Sequence, residues 1–158
     1  MPEPAARVVS INRSNGGVPK LATPGAFVSV SGLEGDTQRD RRFHGGTDRA
    51  LCLYSMELIE ALRREGHPIG PGTTGENVTI AGLDWSTMVP GARFSVGPVE
   101  IEITRFASPC QTIIASFADQ RSTRISEKVH PGWSRVYARV LTEGVLTLGD
   151  PVDRIDAR

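Results

Sequence analysis

This sequence is poor in the features that most often give a function away. Only two cysteines, Cys52 and Cys110, occur in 158 residues, so at most one intrachain disulfide is available and a disulfide-stapled fold is excluded. No excess charge of either sign is present: 18 lysines and arginines balance 18 aspartates and glutamates. A global basic field for nucleic acid and an acidic one for a basic partner are therefore both missing, and any electrostatic site must be local. Apolar runs fall far short of the roughly 20 residues needed to cross a membrane. Met1 to Val9 lacks the apolar stretch of a secretory signal, so the expected location is the cytoplasm. No repeat, low-complexity tract or linker divides the chain. One domain is expected over residues 1–158, with its core from about 7 to 152.

What the chain does have is punctuation. Seventeen glycines and eleven prolines break it roughly every ten residues, the spacing of short strands in a sandwich or barrel. Strands are expected at Arg7 to Ile11, Phe27 to Val30, Ala50 to Tyr54 and Val78 to Ile80. Val99, Ile101 and Ile103 alternate with Glu100, Glu102 and Thr104, the period of a half-buried strand, and pair with Arg93 to Val96 in a hairpin around Gly97-Pro98. Ser134 to Leu141 alternates again, and Thr142 to Gly144 reads as a hairpin turn into a return strand Val145 to Leu148. Ser55 to Glu65 is the best helix, with Ser55 as N-cap and Gly66 as stop. Short helical pieces are expected near Asp84, at Ile113 to Phe117 and at Ser126 to His130. Asp153 to Arg158 reads as a frayed tail.

The chemistry concentrates in Gly35 to Arg49. This stretch holds three aspartates, a histidine, four arginines and three glycines between two apolar runs. Asp36, Asp40, His44 and Asp48 are spaced by four, a pattern able to converge on a divalent metal. The arginines favour phosphate, carboxylate or oxyanion ligands, and glycine-rich turns offer backbone N–H groups to the same anion. An anionic ligand is the better reading. His44 can serve as a general base, an anion ligand or a packed loop residue. His67 and His130 precede turns and read as structural or solvated. Asn77 suits either a ligand's polar edge or a turn. Cys52, inside an apolar strand, reads as a structural thiol. Cys110 follows Pro109 where a strand runs out, with Arg105 upstream. Such a thiol is either a buried structural residue or a reactive one with a thiolate favoured by nearby cations.

Taken in order, Gly32-Leu33-Glu34-Gly35-Asp36, Phe43-His44-Gly45-Gly46-Thr47-Asp48-Arg49-Ala50, Gly75-Glu76-Asn77 and Ser108-Pro109-Cys110 resemble the MOSC domain. That domain forms the C-terminal part of molybdenum cofactor sulfurases and occurs in amidoxime-reducing components and small bacterial proteins. The segment from Gly132 to Asp150 resembles the family's closing strands. The resemblance implies a mainly β fold, a β-barrel with a few short peripheral helices. It implies molybdenum cofactor (molybdopterin) as ligand and Cys110 as catalytic residue and thiolate ligand to the metal. The implied cofactor pocket is lined by Asp36, His44, Gly45, Gly46, Asp48, Arg49, Asn77, Arg105 and Ser108.

The implied activity is a molybdenum-dependent oxidoreductase that reduces N-hydroxylated compounds with electrons from a separate reductase. A sulfur carrier that takes sulfane sulfur from a cysteine desulfurase as a Cys110 persulfide is the alternative. A thiol hydrolase using Cys110 and His44 is a lesser one. The accessory domains of larger family members find no counterpart in the chain, so substrate recognition and electron input are expected from elsewhere. Neither a nucleic-acid nor a membrane partner is expected.

Overall fold

Period-two burial sets the strands. In the computed structural model, which describes residues 5–14, 16–36 and 47–155, β1 (Arg7–Arg13) buries Val8 and Ile11. After it come β2 (Leu21–Thr23), β3 (Gly25–Ser29), β4 (Gly32–Leu33) and β5 (Leu51–Ser55). A helix, α1 (Met56–Arg64), connects β5 to β6 (Val78–Ala81). Next are β7 (Arg93–Val96), β8 (Val99–Phe106), β9 (Val136–Thr142), β10 (Gly144–Thr147) and β11 (Val152–Ile155). Among the described residues, four short 3-10 helices, Thr47–Arg49, Trp85–Thr87, Gln111–Ser116 and Ser122–Ile125, fill the connections.

Ser55 caps α1 as its sequence predicts. Its side chain accepts the Leu58 N–H at 3.1 Å, and the helix buries Ile59 and Leu62 on one face. Strands β5 and β6 are parallel, because the helix between them returns the chain to the same end of the sheet. Elsewhere the pairings are antiparallel. One sheet runs β11-β7-β8-β9-β5-β6-β1-β2 and a smaller one runs β10-β3-β4. A single core of Ile11, Leu53, Tyr54, Ile80, Phe94, Ile101, Val136 and their neighbours lies within.

Several expectations need correction. No sheet among the described residues closes into a barrel. The larger sheet curls so that Val8 exchanges backbone hydrogen bonds with Asp150 and Gly149, and Ala6 accepts from Val152, but β2 and β11 remain its ends. The expected hairpin of β9 with the following strand does not form. β8 runs along one edge of β9 out to Thr142, β5 pairs with Val136 to Ala138 on the other, and β10 pairs with β3 instead. Asp153 to Ile155 is not a frayed tail: it forms most of β11, held along β7 from Val152↔Val96 to Ile155↔Arg93. Residues 156–158 lie outside the described residues. Ser126 to His130 makes a single turn rather than a helix, closed by His130 N–H to Ser126 O at 2.7 Å. Among the described residues, no helix is long and apolar enough to cross a membrane.

Candidate functional site

Strand β8 delivers Cys110. Beyond Phe106, Ala107 is buried and donates its N–H to Arg135 O at 2.9 Å, which keeps the chain beside β9 after regular pairing ends. Ser108 is exposed. Its carbonyl accepts from Arg135 Nη2 at 3.3 Å. Cys110 is extended (φ −139°, ψ 177°) and precedes the 3-10 helix Gln111–Ser116. Its thiol is half-buried and free, with Sγ 2.8 Å from Thr112 Oγ1.

The wall beside this thiol comes from β9. Arg135, Tyr137 and Arg139 alternate with buried Val136, Ala138 and Val140, so they share the opposite face. Tyr137 lies across from Cys52 on β5 and from Arg105 on β8. The second pairing follows a bulge between Ile103 and Arg105 that shifts the register. The Arg49 guanidinium lies over the Tyr137 ring, 5.6 Å from its centroid. Arg139 pairs with Asp48 at 3.2 Å on the exposed side. The Thr104 hydroxyl bonds the Asp48 carbonyl and, at 3.2 Å, the Tyr137 carbonyl. Asp48 and Arg49 are thereby docked onto β8 and β9. Burial pushes the Tyr137 hydroxyl up to about 12; the Cys52 and Cys110 thiolates add to the shift, while Arg135 and Arg49 oppose it.

Beneath this wall is a buried polar network. Asp36 accepts from Lys20 Nζ at 2.6 Å, Asn77 Nδ2 at 2.9 Å and Ser14 N at 2.9 Å. Asn77, 0% exposed, accepts the Cys52 N–H through Oδ1 at 3.0 Å and donates to Asn12 O. Asn12 in turn donates to Glu76 O and Thr79 Oγ1, each at 3.2 Å. Glu76 is also 0% exposed; its carboxylate accepts the hydroxyls of Thr74 at 3.0 Å and Thr79 at 3.2 Å. Gly75, at φ +85°, turns the chain sharply enough to send Glu76 inward. Burial raises the Glu76 carboxyl, opposed by hydrogen bonds and by Arg135. Arg135 donates to Thr74 O at 2.6 Å as well as to Ser108 O, and its buried Nε has no hydrogen-bond partner among the described residues. Cys52 is buried, and desolvation pushes its thiol up to about 11.

The structure thus separates the residues singled out from sequence. Cys110, Ser108, Arg49, Arg105 and Asp48 lie around the end of β8 and the outer face of β9. Asp36 and Asn77 lie inside the fold, with their polar atoms engaged by protein partners. His44, Gly45, Gly46 and Asp40 fall outside the described residues. Among the described residues, no three His, Cys, Asp or Glu side chains group to hold a metal ion. His67 is structural: its Nδ1 accepts the Ala118 N–H at 3.1 Å and its ring meets Phe117 edge-on. Sequence reasoning missed Lys20, Arg135 and Tyr137. The last two carried a usable signal, because alternation through Ser134 to Leu141 puts Arg135, Tyr137 and Arg139 on one face.

The MOSC domain family matches residues 40–153. The chain belongs to the MOSC domain family. It is 31% identical over 121 residues to the uncharacterized protein YflK of Bacillus subtilis, covering 74% of this chain and 52% of YflK. It is 38% identical over 84 residues to protein YiiM of Escherichia coli, covering 50% of this chain and 37% of YiiM. The chain thus spans about half or less of the length of these curated relatives. Among solved structures, YiiM from Geobacillus stearothermophilus superposes with a TM-score of 0.69 at 24% identity, covering 96% of this chain and 75% of that one. The YuaD protein from Bacillus subtilis gives 0.73 at 19% identity, covering 98% and 97%. At these identities the structural likenesses speak for the fold.

Proposed function

We propose that this domain binds molybdenum cofactor, with the Cys110 thiolate as the protein's ligand to the metal. One observation carries the reading: a free, half-exposed thiol stands at the end of β8, beside a strand face bearing Tyr137 with Arg49 stacked on it. Sulfur is the soft donor such a metal takes, and guanidinium groups meet its oxo and phosphate oxygens. The residues present therefore fit the group. When bound, the cofactor would supply a centre able to accept and release two electrons. Cys110 would hold it, and Arg49, Arg105 and Ser108 would offer hydrogen-bond donors around it, together with His44, Gly45 and Gly46. Asp36 and Asn77 serve the pocket through the fold, by anchoring the start of the charged loop to β6. Asp48 keeps Arg139 on the rim. Reduction of N-hydroxylated compounds, with electrons from a separate reductase, is the activity proposed.

Protein made in a cofactor-producing host tests this directly. Molybdenum and pterin should both copurify with the wild type and be lost in Cys110→Ala. A wild-type protein carrying neither defeats the reading. The 2.8 Å contact of the accessible Cys110 thiol with the Thr112 hydroxyl also suits a sulfur carrier. After incubation with a cysteine desulfurase and cysteine, a mass gain of one sulfur at Cys110 in protein that holds no pterin would select that role.

A further inference from the structure

Among the groups around Cys110, the Tyr137 hydroxyl has no assigned role. Its ring is held firmly: the residue sits in the middle of the large sheet, with Cys52 across one ladder and Arg105 across the other. Its backbone carbonyl is tied to the Thr104 hydroxyl, and the Arg49 guanidinium covers its ring. The other tyrosine, Tyr54, is fully buried and donates its hydroxyl to Trp133 O at 2.7 Å. Tyr137 differs. It is half-buried, and its hydroxyl makes no hydrogen bond to any described residue. A fixed phenol that stands beside cations and has no hydrogen-bond partner among the described residues is a preformed donor, because no bond to them must break before it binds a ligand oxygen. The Arg49 guanidinium lies 5.6 Å from the ring centroid, and Arg135, two residues before Tyr137 on the same face, bonds the Ser108 carbonyl two residues before Cys110. Because burial raises its pKa, the phenol keeps its proton at neutral pH and acts as a donor.

We propose that Tyr137 contacts ligand at the Cys110 site, its hydroxyl donating a hydrogen bond to an oxygen of an oxyanionic group held between Arg49 and Cys110. This rests on the proposed function for the location of the site, but its chemistry requires only an oxyanion. Phosphate, molybdate and the oxo groups of a bound metal all present such oxygens. Arg135 supports the arrangement from below by gripping the Ser108 carbonyl two residues before Cys110.

The protein has only two tyrosines, which makes the test clean. Ring-labelled tyrosine gives two sets of NMR signals, assigned with Tyr137→Phe and Tyr54→Phe. Molybdate is titrated into the wild type and into Tyr137→Phe, and pterin is assayed separately in protein from a cofactor-producing host. The Tyr137 signals should move on adding molybdate while those of Tyr54 stay, and Tyr137→Phe should bind molybdate about tenfold more weakly. The hydroxyl has no hydrogen-bond partner among the described residues to lose, so the melting temperature of Tyr137→Phe should stay within about 2 °C of wild type. Tyr137 signals that do not respond to molybdate, or equal affinity in the two proteins, overturn the proposal. Pterin absent with Tyr137 still responding leaves an oxyanion site and removes only the cofactor reading. Pterin present with Tyr137 silent removes only this assignment.

Discussion

Replacing Asp36 by alanine tests whether the Gly-Asp motif serves the fold or the ligand. The carboxylate holds the Lys20 ammonium at 2.6 Å, with side-chain exposures of 5% and 8%, and also receives the Asn77 amide and the Ser14 N–H. Removing it leaves a buried ammonium and two donors without an acceptor. Breaking a buried pair from one side costs about 3–5 kcal/mol. At 2–4 °C per kcal/mol for a chain of this size, the melting temperature should fall by roughly 6–20 °C. Urea denaturation followed by tryptophan fluorescence gives the free energy directly. The double variant Lys20→Met with Asp36→Asn removes both charges and keeps an acceptor for Ser14, so it should recover most of what Asp36→Asn alone loses. A cost below about 1 kcal/mol for Asp36→Ala, or a double variant no more stable than Asp36→Asn, would refute the pairing as the reason for this aspartate. If the double variant folds well but no longer takes up molybdenum, Asp36 touches the ligand after all.

Iodoacetamide at pH 8 should alkylate Cys110 in the native protein and reach Cys52 only after unfolding, since Cys52 is buried and its thiol is pushed up to about 11. Peptide mass mapping checks this, and comparable labelling of both cysteines would contradict the burial. The buried Glu76 carboxyl is raised above its ordinary 4.5, so its contribution to stability is full below that value and declines as pH rises through the higher folded-state value. Glu76→Gln lacks this titration, so its stability relative to wild type should improve from pH 4 towards neutrality in denaturation curves taken across that range. A constant difference would show that Glu76 titrates alike in both states. Gly32→Ala should destabilise by more than about 1 kcal/mol, because Gly32 sits at φ +123° and an added Cβ would stand 2.5 Å from the Ala50 carbonyl. Thermal melts beside Gly66→Ala, which has a positive φ but open space around it, separate the clash from the backbone strain.

Local signals were legible in the sequence wherever one residue's neighbours along the chain decide its environment. The Ser55 cap, the β7–β8 hairpin and the alternation of β8 are of that kind. Partner choice between distant strands was not. Thr142 to Gly144 has turn chemistry, yet β10 pairs with β3, a partner more than 100 residues away in the chain. The fate of Asp153 to Ile155 likewise depended on a free edge at β7 that no local pattern reveals. For the site, Cys110 stood out because a strand ends just before it. Asp36 and Asn77 are placed in the pocket by the family resemblance, Asn77 suiting a turn equally well. Their burial follows from contacts across 22 to 65 residues of chain, with Ser14 and Asn12. Lys20 gave no warning of its burial, since lysine is rarely enclosed unless paired and its pair lies 16 residues away.

The motifs that carry the family resemblance are linked physically as well as by order. Asp36 receives the Asn77 amide, and Asn77 donates onward to the Asn12 carbonyl. The Asn12 side chain reaches Glu76 and Thr79, and the Glu76 carboxylate takes the hydroxyls of Thr79 and Thr74. The Thr74 carbonyl holds Arg135, whose other nitrogen holds Ser108, two residues from Cys110. One connected path of hydrogen bonds therefore joins the Gly-Asp, Gly-Glu-Asn and Ser-Pro-Cys motifs. Such a path is costly to leave partly satisfied in a buried setting, so each member constrains the next. This divides the labour between two layers. The inner layer of Lys20, Asp36, Asn77, Glu76 and Arg135 ties Asp36 to the start of β6 and holds the chain just beyond β8. In the proposed reading, the outer layer of Cys110, Tyr137, Arg49 and Arg105 meets the ligand. Substitutions in the inner layer should therefore register first in stability, and those in the outer layer first in binding.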